Sequence, residues 1–151
     1  MGGSFKFEGF SEIDNALAAL PAATSKAVGR RALKKALTPV AEMANDFWPG
    51  ADPLAFAVSA KLKSGQTPTE AVANAVVMYV GAAGAAPHAH LLEWGTAPRY
   101  HKSGKFVGAV APSPSLTPAW EANRDQVLNG IADVLREEIA ATLARRAKRG
   151  R

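Results

Sequence analysis

The residues best equipped for chemistry are His88 and His90, with Glu93 three positions further on and His101 beyond. Imidazole nitrogens and a carboxylate are the donor set of a metal site, and they also suit proton transfer near neutral pH. Their spacing argues against both roles. On a strand the two histidines of His88-Ala89-His90 share a face, but on a helix two positions separate them by about 200°. The i, i+4 histidine pair of helical zinc sites is missing. Hydrogen-bonded or exposed histidines ahead of a turn are the plainer reading. No G-x-S-x-G elbow or Walker loop occurs, and Gly81-Ala82-Ala83-Gly84 lacks the third glycine of a dinucleotide fingerprint. The carboxylates are scattered, with no pair placed for acid-base work. The expectation is therefore no enzyme, no catalytic residue, no metal and no cofactor. A hydrolase built on His88, His90 and Glu93 is only a third reading.

Composition narrows the classes further. A chain of 151 residues that is 48% hydrophobic suits one compact domain. With no cysteine, a disulfide-stapled fold, a thiolate-held metal and a cysteine nucleophile are all excluded. Apolar runs stop well short of the roughly 18 residues of a membrane span, and residues 1–10 carry no apolar signal core. A protein made in the cytoplasm, with no membrane partner, is expected.

Charge is unevenly placed. Lys26, Arg30, Arg31, Lys34 and Lys35 form one basic block, with no acid between Asp14 and Glu42. Arg145, Arg146, Lys148, Arg149 and Arg151 form a second. Such blocks suit nucleic acid or an acidic protein surface, and they equally suit a solvated helix face and a frayed, solubilising tail at about 145–151. A third mixture, Arg99-Tyr100-His101-Lys102 with Lys105-Phe106, combines aromatic rings and cations as single-strand binders do, or is simply a polar surface loop around Ser103-Gly104.

The elements that must position these groups follow from periodicity. Phe5-Lys6-Phe7-Glu8 alternates as a short strand. Ser11 and Asp14 resemble a capping box ahead of Ile13, Leu17 and Leu20, a helix ending near Pro21. From Ala22 to Phe47 a 3.6-residue stripe of Val28, Leu33, Ala36, Leu37, Val40, Ala44 and Phe47 predicts a helix of about 38 Å. Trp48-Pro49-Gly50 stops it. Phe56, Val58, Ala60 and Leu62 alternate as a weak strand or an alanine-rich turn, and Gly65–Pro68 is a turn. Ala75–Val80 is the best strand candidate, apolar on both sides and so expected inside a sheet, bounded by Gly81. Phe106–Val110 can pair as another strand. Thr117 as N-cap and Pro118 at the first helical position start a second long helix. Its stripe is Trp120, Val127, Leu128, Ile131, Leu135, Ile139 and Leu143. Short strands need cover, so the predicted class is α+β: a small, mainly antiparallel sheet packed against two long helices in a single domain.

Two segments go further. Leu91-Leu92-Glu93-Trp94-Gly95-Thr96, and about twenty residues later Pro114-Ser115-Leu116-Thr117-Pro118-Ala119-Trp120, resemble the (V/L)-E-(F/W)-G-T and P-F-L-R-P-A signatures of the small tail-component or neck proteins of long-tailed phages. Prophages and gene transfer agents carry such proteins too. The order of elements agrees over most of the chain, with Ser115 and Thr117 standing where the family has Phe and Arg.

The resemblance implies a virion structural protein at the head-tail junction. It would be assembled in the bacterial host cytoplasm as a homo-oligomeric ring, a hexamer, between head-closure or connector proteins and tail-terminator or tail-tube proteins, around the DNA channel. On that reading Glu93, Trp94, Gly95 and Thr96 are a fold-forming or intersubunit motif. Gly95 allows a bend, Trp94 buries its ring, and Glu93 accepts from backbone donors or from Arg99. The stiff segment holding Pro112, Pro114, Leu116, Pro118 and Trp120 is the candidate oligomer contact. Lys26, Arg30, Arg31, Lys34, Lys35, Arg99, Lys102 and Lys105 are candidate contacts to channel DNA or to acidic partners. The rival reading is a small basic nucleic-acid-binding protein using the first basic helix and the C-terminal tail.

Overall fold

The computed structural model describes residues 10–62, 75–84 and 86–150. The expected strand at Phe5–Glu8 and turn at Gly65–Pro68 lie outside them. Helices α1 (Phe10–Ala18) and α2 (Ala22–Phe47) come first, then strands β1 (Phe56–Ser59) and β2 (Tyr79–Ala82). A short α3 (Ala89–Trp94), strands β3 (Arg99–Tyr100) and β4 (Phe106–Gly108), and the long α4 (Leu116–Arg149) complete the order. The class is α+β in a single domain, with antiparallel pairing. The one small sheet expected is two among the described residues: β1 pairs with β2, and β3 with β4.

Helix α2 forms with the predicted bounds although Pro39 lies inside it. That proline deprives the Lys35 carbonyl of its donor. Beside the gap, the Thr38 hydroxyl donates to the Lys34 carbonyl at 2.7 Å. Phe47, expected to close the apolar stripe, is 47% exposed. The chain turns extended at Trp48, and that indole enters the core instead, edge-on to Phe56 with centroids 5.6 Å apart. Ser11, read as a cap, lies within α1, which already begins at Phe10.

The strand expected over Ala75–Val80 begins only at Tyr79 and runs on through Gly81. Residues 75–78 pair with no strand among the described residues, and Val76 packs on Gly29 of α2, where a Cβ would come within 3.3 Å of it. Its apolarity on both sides reflects contact with a helix rather than a central place in a sheet. β1 behaves as its alternation predicts, with Phe56 buried and Ala57 and Ser59 exposed. Asn45 of α2 fastens it, its amide bonding both the N–H and the C=O of Phe56 at 2.7 and 3.0 Å.

Helix α4 runs back along α2. Asn123 meets Met43 near one end, and Glu138 and Thr142 meet Arg31 towards the other. One core joins Val40, Ala44, Trp48, Phe56, Ala119 and Val127; a second joins Ile13, Leu20, Val28 and Ile139. The buried seam of α4 is Ala119, Asn123, Val127, Glu138, Ile139 and Thr142. The expected stripe is therefore offset: Trp120 is 39% and Leu143 51% exposed, and Leu128, Ile131 and Leu135 are half-buried. Small residues on α2, such as Ala32, Ala41 and Ala44, make up much of the opposing face. The polar residues that reach this seam satisfy themselves locally, Asn123 donating to the Ala119 carbonyl and Thr142 to the Glu138 carbonyl. The basic tail read as frayed continues as helix through Arg149, its cations at the negative end of the helix dipole.

Glu138 is the buried charge of this seam. Its side chain is 6% exposed and is held by Arg31 at 2.9 Å and Lys35 at 2.6 Å, whose side chains are 43% and 57% exposed. Hydrogen bonds from Lys35 and then Arg31 outweigh its burial and hold its carboxyl below the ordinary carboxylate value. A depressed folded-state pKa means stability that is present above the unfolded value and lost as pH falls through the folded one. Glu138→Ala is expected to cost about 1–3 kcal/mol at neutral pH, less as the pH falls. In Arg31→Gln with Lys35→Gln the carboxyl is buried without cations, so the deficit relative to wild type should grow from about pH 3 to pH 7. Urea titrations across that range read both; a pH-independent deficit in both variants would remove the assignment.

Candidate functional site

The two segments that stand apart in the sequence meet at the N-terminus of α4. A helix start leaves amides without intrahelical acceptors. Here Ser115 takes the N-cap position but its side chain does not cap the helix. The predicted N-cap at Thr117 and first helical residue at Pro118 are displaced by two residues, since the N-cap is Ser115 and α4 already begins at Leu116. The acceptor comes from the last turn of α3. Glu93 Oε2 accepts from the amides of Ser115 and Leu116 at 2.9 and 3.1 Å, and Oε1 accepts from the amide of Thr117 at 2.7 Å. An acid near the end of α3 is poorly placed for its own helix, but it faces the positive end of a far longer one. The backbone-donor alternative for Glu93 is thus the one realised, and Arg99 lies exposed on β3.

Ser115 itself is 1% exposed and turns its hydroxyl to the Phe47 carbonyl at 3.2 Å, which ties the end of α2 to the start of α4. The Ser113 amide donates to the Leu92 carbonyl at 2.6 Å. Gly95 has φ +72° and ψ −176°, a region open to glycine alone. A Cβ there would stand 2.8 Å from the Val110 carbonyl oxygen and 2.9 Å from Pro112 Cδ. Thr96 then pairs twice with Val110, its amide donating to the carbonyl and its hydroxyl accepting from the amide, each at 2.9 Å. Glu93, Gly95 and Thr96 are therefore spent on the fold.

Trp94 is not. Expected to bury its ring, it is 77% exposed, because the carboxylate of its neighbour Glu93 claims the inward direction. The polar loop expected after it is a β3–β4 hairpin. The His101 amide donates to the Lys105 carbonyl at 2.7 Å, and Gly104 at φ +81° closes the turn. Tyr100 and Phe106 stack edge to face at 5.6 Å yet stay 64% and 56% exposed. Arg99, Lys102 and Lys105 are exposed around them. Trp94, Tyr100 and Phe106 are thus three large aromatic side chains left outside within one stretch of chain.

The remaining candidates are spread. Pro112 and Pro114 are exposed in the irregular segment between β4 and α4, while Leu116 and Trp120 line an open apolar cleft of about 260 Å3 with Leu37, Val40, Met78 and Val80. Arg30 and Lys34 are exposed one turn apart and Lys26 is half-buried, but Arg31 and Lys35 serve Glu138. His88 precedes α3 and His90 lies within it, both exposed. Among the described residues no three of His, Asp and Glu gather where a metal could sit. No helix among them is long and apolar enough to cross a membrane. Comparison with family models, curated proteins and solved structures gave no match.

Burial works to raise the Glu93 pKa, but the Thr117 side chain and the amides of Ser115, Thr117 and Leu116 together hold it below its ordinary value. Its contribution is therefore present at neutral pH and lost as acid protonates the folded-state carboxyl. Glu93→Ala should destabilise by about 1–3 kcal/mol and flatten the acid limb of the stability profile. Gly95→Ala should cost about 1–3 kcal/mol through its backbone region alone. Glu121→Ala, an exposed acid on α4, should stay within about 0.5 kcal/mol. If Glu93→Ala melts like Glu121→Ala, the capping role fails.

Proposed function

We propose that this chain is a structural subunit of the head-tail junction of a long-tailed phage-type particle, acting by shape and repeated contacts rather than by catalysis. The observation that supports this most is the union of the two resembling segments, with Glu93 of the first on the amides of Ser115, Leu116 and Thr117 of the second. Segments that resemble one family's paired signatures form one physical unit, and that unit holds Trp94 out to solvent a few residues ahead of the β3–β4 hairpin.

In this reading the chain is one copy in a ring, a hexamer, that joins connector or head-closure proteins to the tail terminator or tail tube. One heterologous contact repeated about an axis closes such a ring. Trp94, Tyr100 and Phe106 supply the apolar part of that contact, with Pro112, Pro114 and the Leu116–Trp120 cleft as its second side. Arg30 and Lys34, with Arg99, Lys102 and Lys105, face packaged DNA or acidic neighbours. Arg31 and Lys35 drop out of that set because they are held by Glu138.

Electron microscopy of lysates from a producing strain lacking this gene, complemented with wild type or with Trp94→Ser, tests it. Filled heads beside unattached or malformed tails are expected in the deletion and with Trp94→Ser, and intact particles with wild type. Trp94 is exposed, so the isolated variant should melt within about 0.5 kcal/mol of wild type. Intact, infectious particles in normal numbers from the deletion strain would refute the assignment.

A further inference from the structure

The two basic blocks, more than a hundred residues apart in sequence, come together where the start of α2 meets the end of α4. They wall an open groove of about 550 Å3 lined by Arg31, Arg145, Arg146 and Arg149 with the hydroxyls of Thr24 and Thr142. Two of the guanidinium groups are set in place by the fold. Arg31 Nη2 and Arg145 Nη2 both donate to Thr142 Oγ1, at 2.9 and 3.0 Å, and Arg31 Nε is locked on Glu138. Arg146 and Arg149 have no side-chain acceptor among the described residues. No acid lines the groove among those residues, and Glu138 behind it is already neutralised by Arg31 and Lys35.

Cations at the end of α4 favour its dipole, which accounts for Arg146 and Arg149 on the last turn. It does not account for Arg145 turned to the same groove, where it shares Thr142 with the Glu138-bound Arg31, nor for the wall supplied by the first turn of α2, which carries neither an acidic residue nor a side-chain cap. Like charges gathered around one concavity raise a potential that an anion relieves. The guanidinium fork matches oxyanions bidentately.

We infer that this groove is a nucleic-acid site that holds the phosphate backbone of a duplex without reading its bases. Its only wholly apolar lining residues are the small Ala23 and Ala27. An acidic protein partner would need pockets for anchoring side chains, and the groove has none. No aromatic ring lines it, so bases have nothing to stack on. What it offers is a row of oxyanion forks, which suits an evenly charged, repeating backbone. The site is distinct from the Trp94 and hairpin surface, so it stands or falls independently of the junction reading.

Anisotropy of a labelled mixed-sequence duplex, followed from about 50 to 200 mM salt, tests it. Three phosphate contacts, from Arg145, Arg146 and Arg149, give a slope of log affinity against log salt of about −3. Arg146→Gln with Arg149→Gln should reduce the slope by about 2 and weaken binding about tenfold at low salt, and the corresponding double lysine variant should restore most of it. Thr24→Glu puts an acid in the wall at a position that favours α2, so it should weaken binding without loss of fold. Arg124→Gln with Lys61→Gln removes the same charge elsewhere and should bind like wild type. Absence of duplex binding by wild type at about 50 mM salt, or equal loss in both glutamine pairs, overturns the site. Competition by polyglutamate as effective as that by polyphosphate also overturns it, and reassigns the groove to an acidic protein segment.

Discussion

A helix of 34 residues that begins against the core has to find acceptors for its first amides, and in this protein they come from outside the helix. Glu93 reaches across from α3 and takes three of them, so the start of α4 is positioned by α3 and not by its own flanking residues. From that point the rest of the upper structure follows. Ser115, buried beneath the cap, bonds the final carbonyl of α2. The chain between the two segments must then fold back on itself, which it does at Gly95 and Thr96 against Val110. The β3–β4 hairpin is what remains of that return, and two strands of this length have little stability of their own.

A second carboxylate, this one buried, organises the other half. Glu138 sets the alignment of α4 on α2 and draws Arg31 and Lys35 to the seam. A buried charge paired this way adds little net energy over an apolar contact, but it penalises every register in which it is left unpaired. The two glutamates therefore do comparable work on one helix, Glu93 by satisfying the first amides of α4 and Glu138 by being a buried charge left unpaired in any other register. That also explains why the molecule tolerates a polar seam on α4, with Asn123 and Thr142 bonded within the helix.

The same economy separates folding from recognition. Residues that the fold consumes, Glu93, Gly95, Thr96, Arg31 and Lys35, are unavailable to a partner. Those it leaves outside are Trp94, Tyr100 and Phe106 in the stretch that precedes α4, and Arg146 and Arg149 at the far end of α4. A surface with exposed rings and a groove with exposed guanidinium groups have different chemistry, and they occupy different places along the helix.

The amino-acid sequence by itself determined α1, α2, α4 and the α+β class, but not the short α3 over Ala89–Trp94, which reads only as the approach to a turn. The stripe from Val28 to Ala44 and the proline after Trp48 set α2, because local periodicity and backbone chemistry act over a few residues. Alternation at Phe56 and Val58 likewise set β1. Tertiary structure alone decided which groups are paired. Thr117 has the local signature of a cap, yet a carboxylate 24 residues away outcompetes it. Trp94 has the size of a core residue, yet the inward position beside it is occupied by Glu93. Two basic blocks read alike as charge runs; only the antiparallel packing of α2 on α4 commits Arg31 to a buried glutamate and brings Arg145, Arg146 and Arg149 beside it. Spacing along a chain reports neighbours within a turn or a strand, whereas hydrogen bonds and ion pairs are decided by which surfaces the packing brings together.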